Sequence, residues 1–212
     1  IEQQFQQLLD SADPAMTGPP RAIESGFTAR QIIEYAATNN YDYIVMGAKG
    51  TSNRIAELYG SNTIQVASQS PCPLIVVPPT ARFRPIASIA FATAYDKKER
   101  QVHAGLQQLA ATLGASIHYV NVNTKTTSHK AESSVLIENH PHADADLWII
   151  NDPSIKNGLE TFIGQKKIDL LVVFKTPKNL WQWLTQSGTT RKMMLNPTIP
   201  LVVLSGASRF GK

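Results

Sequence analysis

Three glycines and a serine stand at spacings that suit the binding of a phosphate group. Glycine lets a backbone approach an anion closely and adopt positive φ. The amides at the start of a helix add donors at the positive end of its dipole. The pattern G-x2-G-x9-G-S follows the apolar run Tyr41 to Met46 and is formed by Gly47, Gly50, Gly60 and Ser61. It predicts a phosphate-binding loop that opens a helix near Ser61.

Polar side chains around this pattern can add to an anion site. Lys49 and Arg54 bring positive charge into the loop, and the hydroxyls of Ser61 and Thr63 can donate hydrogen bonds. Spacing alone is equally compatible with a plain turn followed by a helix cap, and that alternative stays open at this point. On the phosphate interpretation, the ligand-binding residues are Gly47, Lys49, Gly50, Gly60, Ser61 and Thr63.

Helices and apolar strands alternate on both sides of this loop. Thr28 and Gln31 match a capping box, and apolar residues at positions 29, 32, 33, 36 and 37 form one face of the helix that follows. The run Tyr41 to Met46 indicates a buried strand, residues 61–70 a second helix, and Leu74 to Val77 another strand. This alternation predicts a parallel sheet with helices on both faces.

The chain from Ile86 onwards contains enough elements for a complete small α/β domain. Asp96 and Glu99 can cap a helix that ends at Gly114, and Ser154 can open another. Further helical segments are predicted near 132–138 and after the strand that ends at residue 174. The five predicted strands are Ile86 to Phe91, Ile117 to Val122, Leu147 to Ile150, Leu170 to Phe174 and Leu201 to Leu204.

The two halves of the chain repeat the same pattern. The segment from Asp42 to Gly47 matches the segment from Asp169 to Phe174, and a proline-led final strand ends thirty residues later in each case. A proline-rich linker at 78–85 separates the copies. We therefore predict two doubly wound units with strand order 3-2-1-4-5, residues 1–79 and residues 80–212.

The first unit is incomplete in this alignment. The second unit opens with a strand, a helix and a strand at 86–122 that have no counterpart in the first unit. In the order 3-2-1-4-5 the opening strand is central, and its loss would leave backbone groups of its neighbours unpaired. We expect either that the chain is a fragment or that a separate segment supplies this strand.

Residues 22–78 resemble the latter half of a universal stress protein domain of the ATP-binding branch. The family signature G-x2-G-x9-G-[S/T] is complete, and the flanking segments 42–47 and 70–78 match as well. The resemblance implies that the loop glycines and Ser61 bind the ribose and phosphates of ATP. It also implies that an aspartate closing the first strand meets the adenine side. The implied function is a cytoplasmic stress-response sensor or regulator that binds ATP.

The second unit departs from the family pattern. Phe174 and Pro177 stand where Gly47 and Gly50 would align, and Ala94 occupies the aspartate position. A phenylalanine would fill phosphate space, and proline removes an amide donor. We therefore expect the second unit not to bind ATP, which keeps open the alternative of a structural or interaction module without a working nucleotide site.

Composition and charge narrow the other function classes. The apolar runs are too short to span a bilayer, no secretory signal is visible, and a lone cysteine allows no intrachain disulfide, so a cytoplasmic protein is expected. The net charge of +4 divides into −3 over residues 1–80 and +7 over residues 81–212. Opposite signs can favour docking of the halves or be ordinary solvated surfaces. The basic residues are scattered, so no nucleic-acid partner is predicted.

Metal and enzymatic chemistry have little support in the sequence. Imidazoles and carboxylates can bind zinc, and four of them stand close together before a predicted strand: His140, His142, Asp144 and Asp146. Residues at alternating positions do not share one face of a helix, so this spacing does not favour a metal site. No metal site is therefore predicted. No Ser-His-Asp or Cys-His constellation is legible at motif spacing. Slow ATP hydrolysis is a weaker alternative, for which no general base is identifiable.

The resemblance also implies how the two units assemble. In the family the final strands of two domains pair antiparallel, and here the candidates are Leu74 to Val77 and Leu201 to Leu204. Both are short, apolar edge strands, so pairing would bury them. We predict an intramolecular pseudo-twofold dimer of units, with a homo-oligomer as a further possibility.

Overall fold

The computed structural model describes residues 22, 24–48, 60–94, 97–124, 146–175 and 198–205. The predicted helical segments near 132–138 and after residue 174 lie outside these ranges. The elements are α1 (Thr28–Thr38), β1 (Ile44–Gly47), α2 (Ser61–Gln69), β2 (Leu74–Val77), β3 (Ser88–Ala92), a 3₁₀ turn (Lys97–Glu99), α3 (Arg100–Leu113), β4 (Ser116–Asn123), β5 (Leu147–Asn151), α4 (Ile155–Lys166), β6 (Leu170–Lys175) and β7 (Leu201–Ser205).

The strands form one seven-stranded sheet in the order β1-β2-β7-β6-β3-β4-β5. Every neighbouring pair is parallel except β2 and β7. Numbered from β3, the five strands of the second half lie in the order 3-2-1-4-5, which confirms the predicted doubly wound topology. Parallel neighbours of this kind need crossover connections, which the helices supply.

The antiparallel pair joins the two halves of the chain. Leu74 pairs with Val203, Ile75 with Val202 and Val76 with Leu201, so the predicted pairing of these two strands is confirmed. Both strands carry buried apolar side chains. The contact covers two edges that would otherwise be open to aggregation.

The parallel ladders of the two halves share one register. Gly47 pairs with Val77, and Phe174 pairs with Leu204, thirty residues apart in each case. Gly47 and Phe174, which the sequence aligns between the two halves, therefore occupy the same position on their strands. The replacement of glycine by phenylalanine can thus be compared at equivalent sites.

The core lies on both faces of the sheet. Successive residues of a strand point to opposite faces, and the buried residues divide accordingly into two clusters. One cluster packs β-strand residues against α1, α2 and α4 and extends across both halves. The other packs the opposite face against α3. This arrangement agrees with the predicted helices on both sides of a parallel sheet.

Two local expectations are wrong. The capping box is absent, because α1 begins at Thr28 itself and its N-cap is Phe27, with no side-chain cap bond. Thr28 is therefore inside the helix, where its hydroxyl cannot cap it. The first strand is shorter than predicted and is not fully buried, since Val45 is 64% exposed. Its exposure follows from its place at the end of the described sheet.

Candidate functional site

The chain closes into a loop at the carboxyl end of β1. Ala48, the residue after Gly47, is buried, and its amide donates to the Val77 carbonyl at 2.8 Å. The Ala48 carbonyl accepts a hydrogen bond from the Gly60 amide, also at 2.8 Å. The two ends of the segment 49–59 are therefore held together beside the end of the strand.

Helix α2 begins at this closure with free backbone donors. Gly60 is its N-cap, extended at φ −66° and ψ 151°, and has no side chain with which to cap the helix. The Gly60 carbonyl accepts the first helical bond, from Ile64. The amides of residues 61, 62 and 63 therefore precede the first intrahelical donor, Ile64, and have no intrahelical acceptor. Ser61 and Asn62 are exposed, so the helix start is open to an anion.

Thr63 links the helix to the strand. It is buried, and its hydroxyl donates to the Gly47 carbonyl at 3.2 Å. The single hydroxyl proton is thus committed within the protein, so a ligand can meet this oxygen only as an acceptor. The bond holds the first turn of α2 against the end of β1.

The structure brings four of the six predicted ligand residues to one strand end. Gly47, Gly60, Ser61 and Thr63 lie together there through the bonds just described. Lys49 and Gly50 lie outside the described residues. The arrangement offers exposed amides and the positive end of a helix dipole, which suits a phosphate.

The match to a family of known proteins agrees with this geometry. The family model described as the universal stress protein family matches residues 2–78. Over these residues the chain is similar to the universal stress protein family. No curated protein matches the chain.

Solved structures support the fold over nearly the whole chain. A universal stress protein from Archaeoglobus fulgidus DSM 4304 superimposes with a TM-score of 0.68 at 13% identity, over 96% of this chain and 77% of that one. A functionally unknown protein from Pseudomonas aeruginosa PAO1 gives a TM-score of 0.62 at 16% identity, over 96% of this chain and 76% of that one. At such identities the likeness establishes the fold.

Phe174 stands at the corresponding strand end of the second half. It has the register of Gly47 and is buried in the core with Val202 and Leu204. A large apolar side chain therefore stands where the first half has a glycine. The position aligned with Gly50, Pro177, lies outside the described residues.

Glu99 ends the 3₁₀ turn and stands at the N-cap position of α3, but the prediction that its side chain caps the helix is wrong. The side chain makes no cap bond to α3 and is only 1% exposed. Its carboxylate instead accepts hydrogen bonds from the Thr93 hydroxyl at 2.5 Å and from the Ala94 amide at 3.0 Å. A buried carboxylate requires such donors. Asp96, the other predicted cap, lies outside the described residues.

An aromatic cluster packs on the face of the sheet that α3 covers. Phe91, His103 and Tyr119 are buried, with ring centroids 5.7–5.9 Å apart. The Tyr119 hydroxyl and His103 Nδ1 are 3.4 Å apart. Burial raises the pKa of Tyr119, because the tyrosinate would lose its hydration. No spacing in the sequence signals this cluster.

A serine, a histidine and an aspartate meet at the other end of the sheet. His118 Nδ1 contacts one carboxylate oxygen of Asp146, and Ser116 Oγ is 3.5 Å from His118 Nε2. Acyl transfer also needs free donors for an oxyanion. Among the described residues nearest to Ser116, the amides of Ala115 and Ser116 already donate to backbone carbonyls, and the Ser116 hydroxyl donates to the Ala87 carbonyl at 3.3 Å. The contact between His118 and Asp146 links β4 to the residue before β5.

The structure describes only one of the four side chains considered for a metal site, so the absence of a metal site stays a prediction. Asp146 is described, and its second carboxylate oxygen accepts a bond from Trp148 Nε1 at 2.5 Å. His140, His142 and Asp144 lie outside the described residues. Within the described ranges, no group of three or more His, Cys, Asp or Glu side chains could hold a metal ion. Nor does any helix in the same ranges combine the length and hydrophobicity needed to cross a bilayer.

Proposed function

We propose that this protein binds ATP at the carboxyl end of β1 and acts as a cytoplasmic sensor or regulator of the stress response. The observation that carries the proposal is the closure of Gly60 onto Ala48, which leaves the first amides of α2 open beside Gly47. The match of residues 2–78 to the universal stress protein family supports the stress-response role. The complete glycine signature supports the choice of ATP.

In this proposal the phosphates lie at the start of α2. Backbone amides of residues 61–63 donate to the phosphate oxygens, and the helix dipole adds favourable charge. Gly47 and Gly50 allow close approach of the backbone, and Lys49 supplies a cation. The Ser61 hydroxyl is exposed and can donate to the ligand. Thr63 acts as a positioning residue through its bond to the Gly47 carbonyl.

The proposal divides the chain into two universal stress protein domains, residues 1–79 and 80–212. The shared ladder register supports the repeat, and the β2–β7 pair supports a pseudo-twofold dimer within one chain, which a homo-oligomer can extend. In this proposal nucleotide binds in the first domain only, because Phe174 replaces Gly47 at the same register and Ala94 stands at the aspartate position of the family. We propose binding without appreciable hydrolysis.

Calorimetric titration with ATP tests the site. We expect saturable binding by the unaltered protein and its loss in Gly50→Val, since a β-branched side chain would keep the backbone from the phosphate. Gly164→Val is the matched control, because a Cβ at Gly164 in α4 meets nothing within 4 Å. Absence of saturable binding, or equal binding by the Gly50 and Gly164 variants, would contradict the proposal.

Thr63 offers a finer test of the same site. Thr63→Val keeps the shape of the side chain and removes the bond to the Gly47 carbonyl, so ATP affinity should fall about tenfold, as one lost buried hydrogen bond predicts. Thr63→Ser retains the hydroxyl and should restore most of the affinity. Equal affinity for the valine and serine variants would show that the bond does not position the loop.

One observation favours a second candidate, an interaction module without a nucleotide site. Val45 is exposed on β1, which is an edge strand of the described sheet. An apolar edge of this kind invites pairing with another strand. The ATP titration separates the candidates, because the interaction module predicts no saturable binding in any variant.

A further inference from the structure

A cavity lies where the two halves of the chain are joined. Its volume is about 480 Å³, which falls in the range of small-molecule sites. The linker after β2 forms one wall, and the residues that precede β6 and β7 form the other. We call it the linker cavity. Its described lining does not include Gly47, Gly60, Ser61 or Thr63.

An ion pair connects the two walls of the linker cavity. Arg84 pairs with Asp169, with Nη2 and Oδ1 3.0 Å apart. The other carboxylate oxygen of Asp169 accepts hydrogen bonds from the amides of Ala87 and Ser88, at 3.0 and 3.1 Å. Asp169 is therefore fully used in fixing the linker to the start of β3. Its charge is balanced by Arg84.

The cavity retains one uncompensated positive charge. Arg82 lines it, is exposed, and has no hydrogen-bond or ion-pair partner within the described residues. An arginine guanidinium presents several donors in a plane and binds carboxylate, sulfonate or phosphate groups with charge-assisted hydrogen bonds. The cavity therefore favours an anionic group near Arg82.

The rest of the lining is mostly apolar, with Thr80 and Thr198 as its polar members. Phe83, next to Arg82, is fully exposed, so its ring has no cover from the protein. Val77, Ile86 and Ile199 also line the cavity. An aromatic ring of this size gains most when a planar apolar group stacks against it. The preferred ligand thus has a planar apolar body beside its anionic group.

We propose that the linker cavity binds a small molecule with an aromatic body and one anionic group. Because the walls come from the linker and from the starts of β6 and β7, such a ligand would tie the two halves together. The proposal goes beyond ATP binding, since it uses neither the glycine loop nor the start of α2. The ligand would bind where the two halves of the chain are joined, in addition to the nucleotide proposed for the first half.

A fluorescence titration with 8-anilinonaphthalene-1-sulfonate, an anionic aromatic probe, tests the cavity. We expect one saturable site whose affinity falls roughly tenfold in Arg82→Gln and also in Phe83→Ala, since each removes one of the two recognition elements. The uncharged probe N-phenyl-1-naphthylamine should bind more weakly and should be insensitive to Arg82→Gln.

Matched variants outside the cavity provide the control. Phe27 is another exposed phenylalanine and Arg30 another exposed arginine, both near α1. Phe27→Ala and Arg30→Gln should bind the anionic probe as the unaltered protein does. Absence of a saturable site, unchanged affinity in both cavity variants, or equal weakening in the controls would overturn the proposal.

A crossed titration separates this proposal from the nucleotide site. Arg82→Gln should retain ATP binding, and Gly50→Val should retain the anionic probe. Loss of probe binding in Gly50→Val would place the probe at the glycine loop and overturn the linker cavity as its site. Failure of ATP to bind the unaltered protein would contradict the nucleotide proposal alone.

Discussion

Glu99 is the side chain whose removal should most weaken the second half of the molecule. Its carboxylate is buried and accepts the Thr93 hydroxyl and the Ala94 amide. Glu99→Ala removes both bonds, and the Thr93 hydroxyl, which is itself buried, loses a charged acceptor. Glu99→Gln keeps the shape and one oxygen acceptor, so it should fall between the alanine variant and the unaltered protein.

The magnitude follows from those two contacts. A hydrogen bond to a charged group contributes about 1.5–3 kcal/mol, so losing two costs about 3–6 kcal/mol of the free energy of unfolding. With a urea dependence of about 2 kcal/mol per molar, the unfolding midpoint should fall by roughly 1.5–3 M. Urea unfolding followed by circular dichroism measures this shift.

Glu34→Ala is the matched control for the same substitution on the surface. Glu34 pairs with Arg30 at 2.7 Å, but both side chains are largely exposed, at 51% and 70%. Water and salt screen such a pair, so its loss should leave the midpoint within experimental error. If Glu99→Ala shifted the midpoint no more than Glu34→Ala, the reasoning about the buried carboxylate would be refuted.

Two further predictions concern the packing of the sheet. Burial raises the pKa of Tyr119, so the folded state keeps the phenol proton above pH 10, where the unfolded chain begins to lose it. The contribution of Tyr119 to the free energy of unfolding is therefore fully present below about pH 10 and is lost as the pH rises further. The unfolding midpoint of Tyr119→Phe should decline less steeply at alkaline pH than that of the unaltered protein. An equal decline in the two proteins would contradict this prediction. In α4, a Cβ on Gly158 would lie 2.7 Å from Val122 Cγ1, whereas one on Gly164 meets nothing within 4 Å. Thermal unfolding should therefore show Gly158→Ala destabilised by about 1–3 kcal/mol and Gly164→Ala stabilised by up to about 1 kcal/mol; the same sign for both would refute the contact.

Features that depend on near neighbours could be predicted from the sequence. Gly114 ends α3 in the left-handed region at φ 64°, as a glycine after an apolar helix face indicates. Ser154 caps α4 by accepting the Asn157 amide at 3.3 Å. The strand Leu74–Val77 has the predicted bounds. These outcomes rest on interactions within four residues or on an unbroken apolar run, which the sequence displays directly.

Only part of the candidate site could be predicted from the sequence. The spacing of Gly47, Gly60 and Ser61 correctly indicated that these residues meet, because a strand end and a helix start bracket them. The spacing did not reveal that the Thr63 hydroxyl donates to the Gly47 carbonyl, sixteen residues away. A hydroxyl in the first turn looks the same in sequence whether it faces a ligand or the protein.

Contacts between distant segments were decided by the tertiary structure alone. The Asp169 carboxylate accepts hydrogen bonds from amides that lie more than eighty residues earlier in the chain. The Glu99 carboxylate accepts hydrogen bonds from the residues that follow β3 and not from its own helix. Val45, in a run that predicts burial, is exposed because no described strand lies beyond β1. The sequence by itself determined which segments form strands and helices, since periodicity and local caps act within a few residues. Only the folded chain decides which polar groups share a buried space, because that depends on which strands become neighbours.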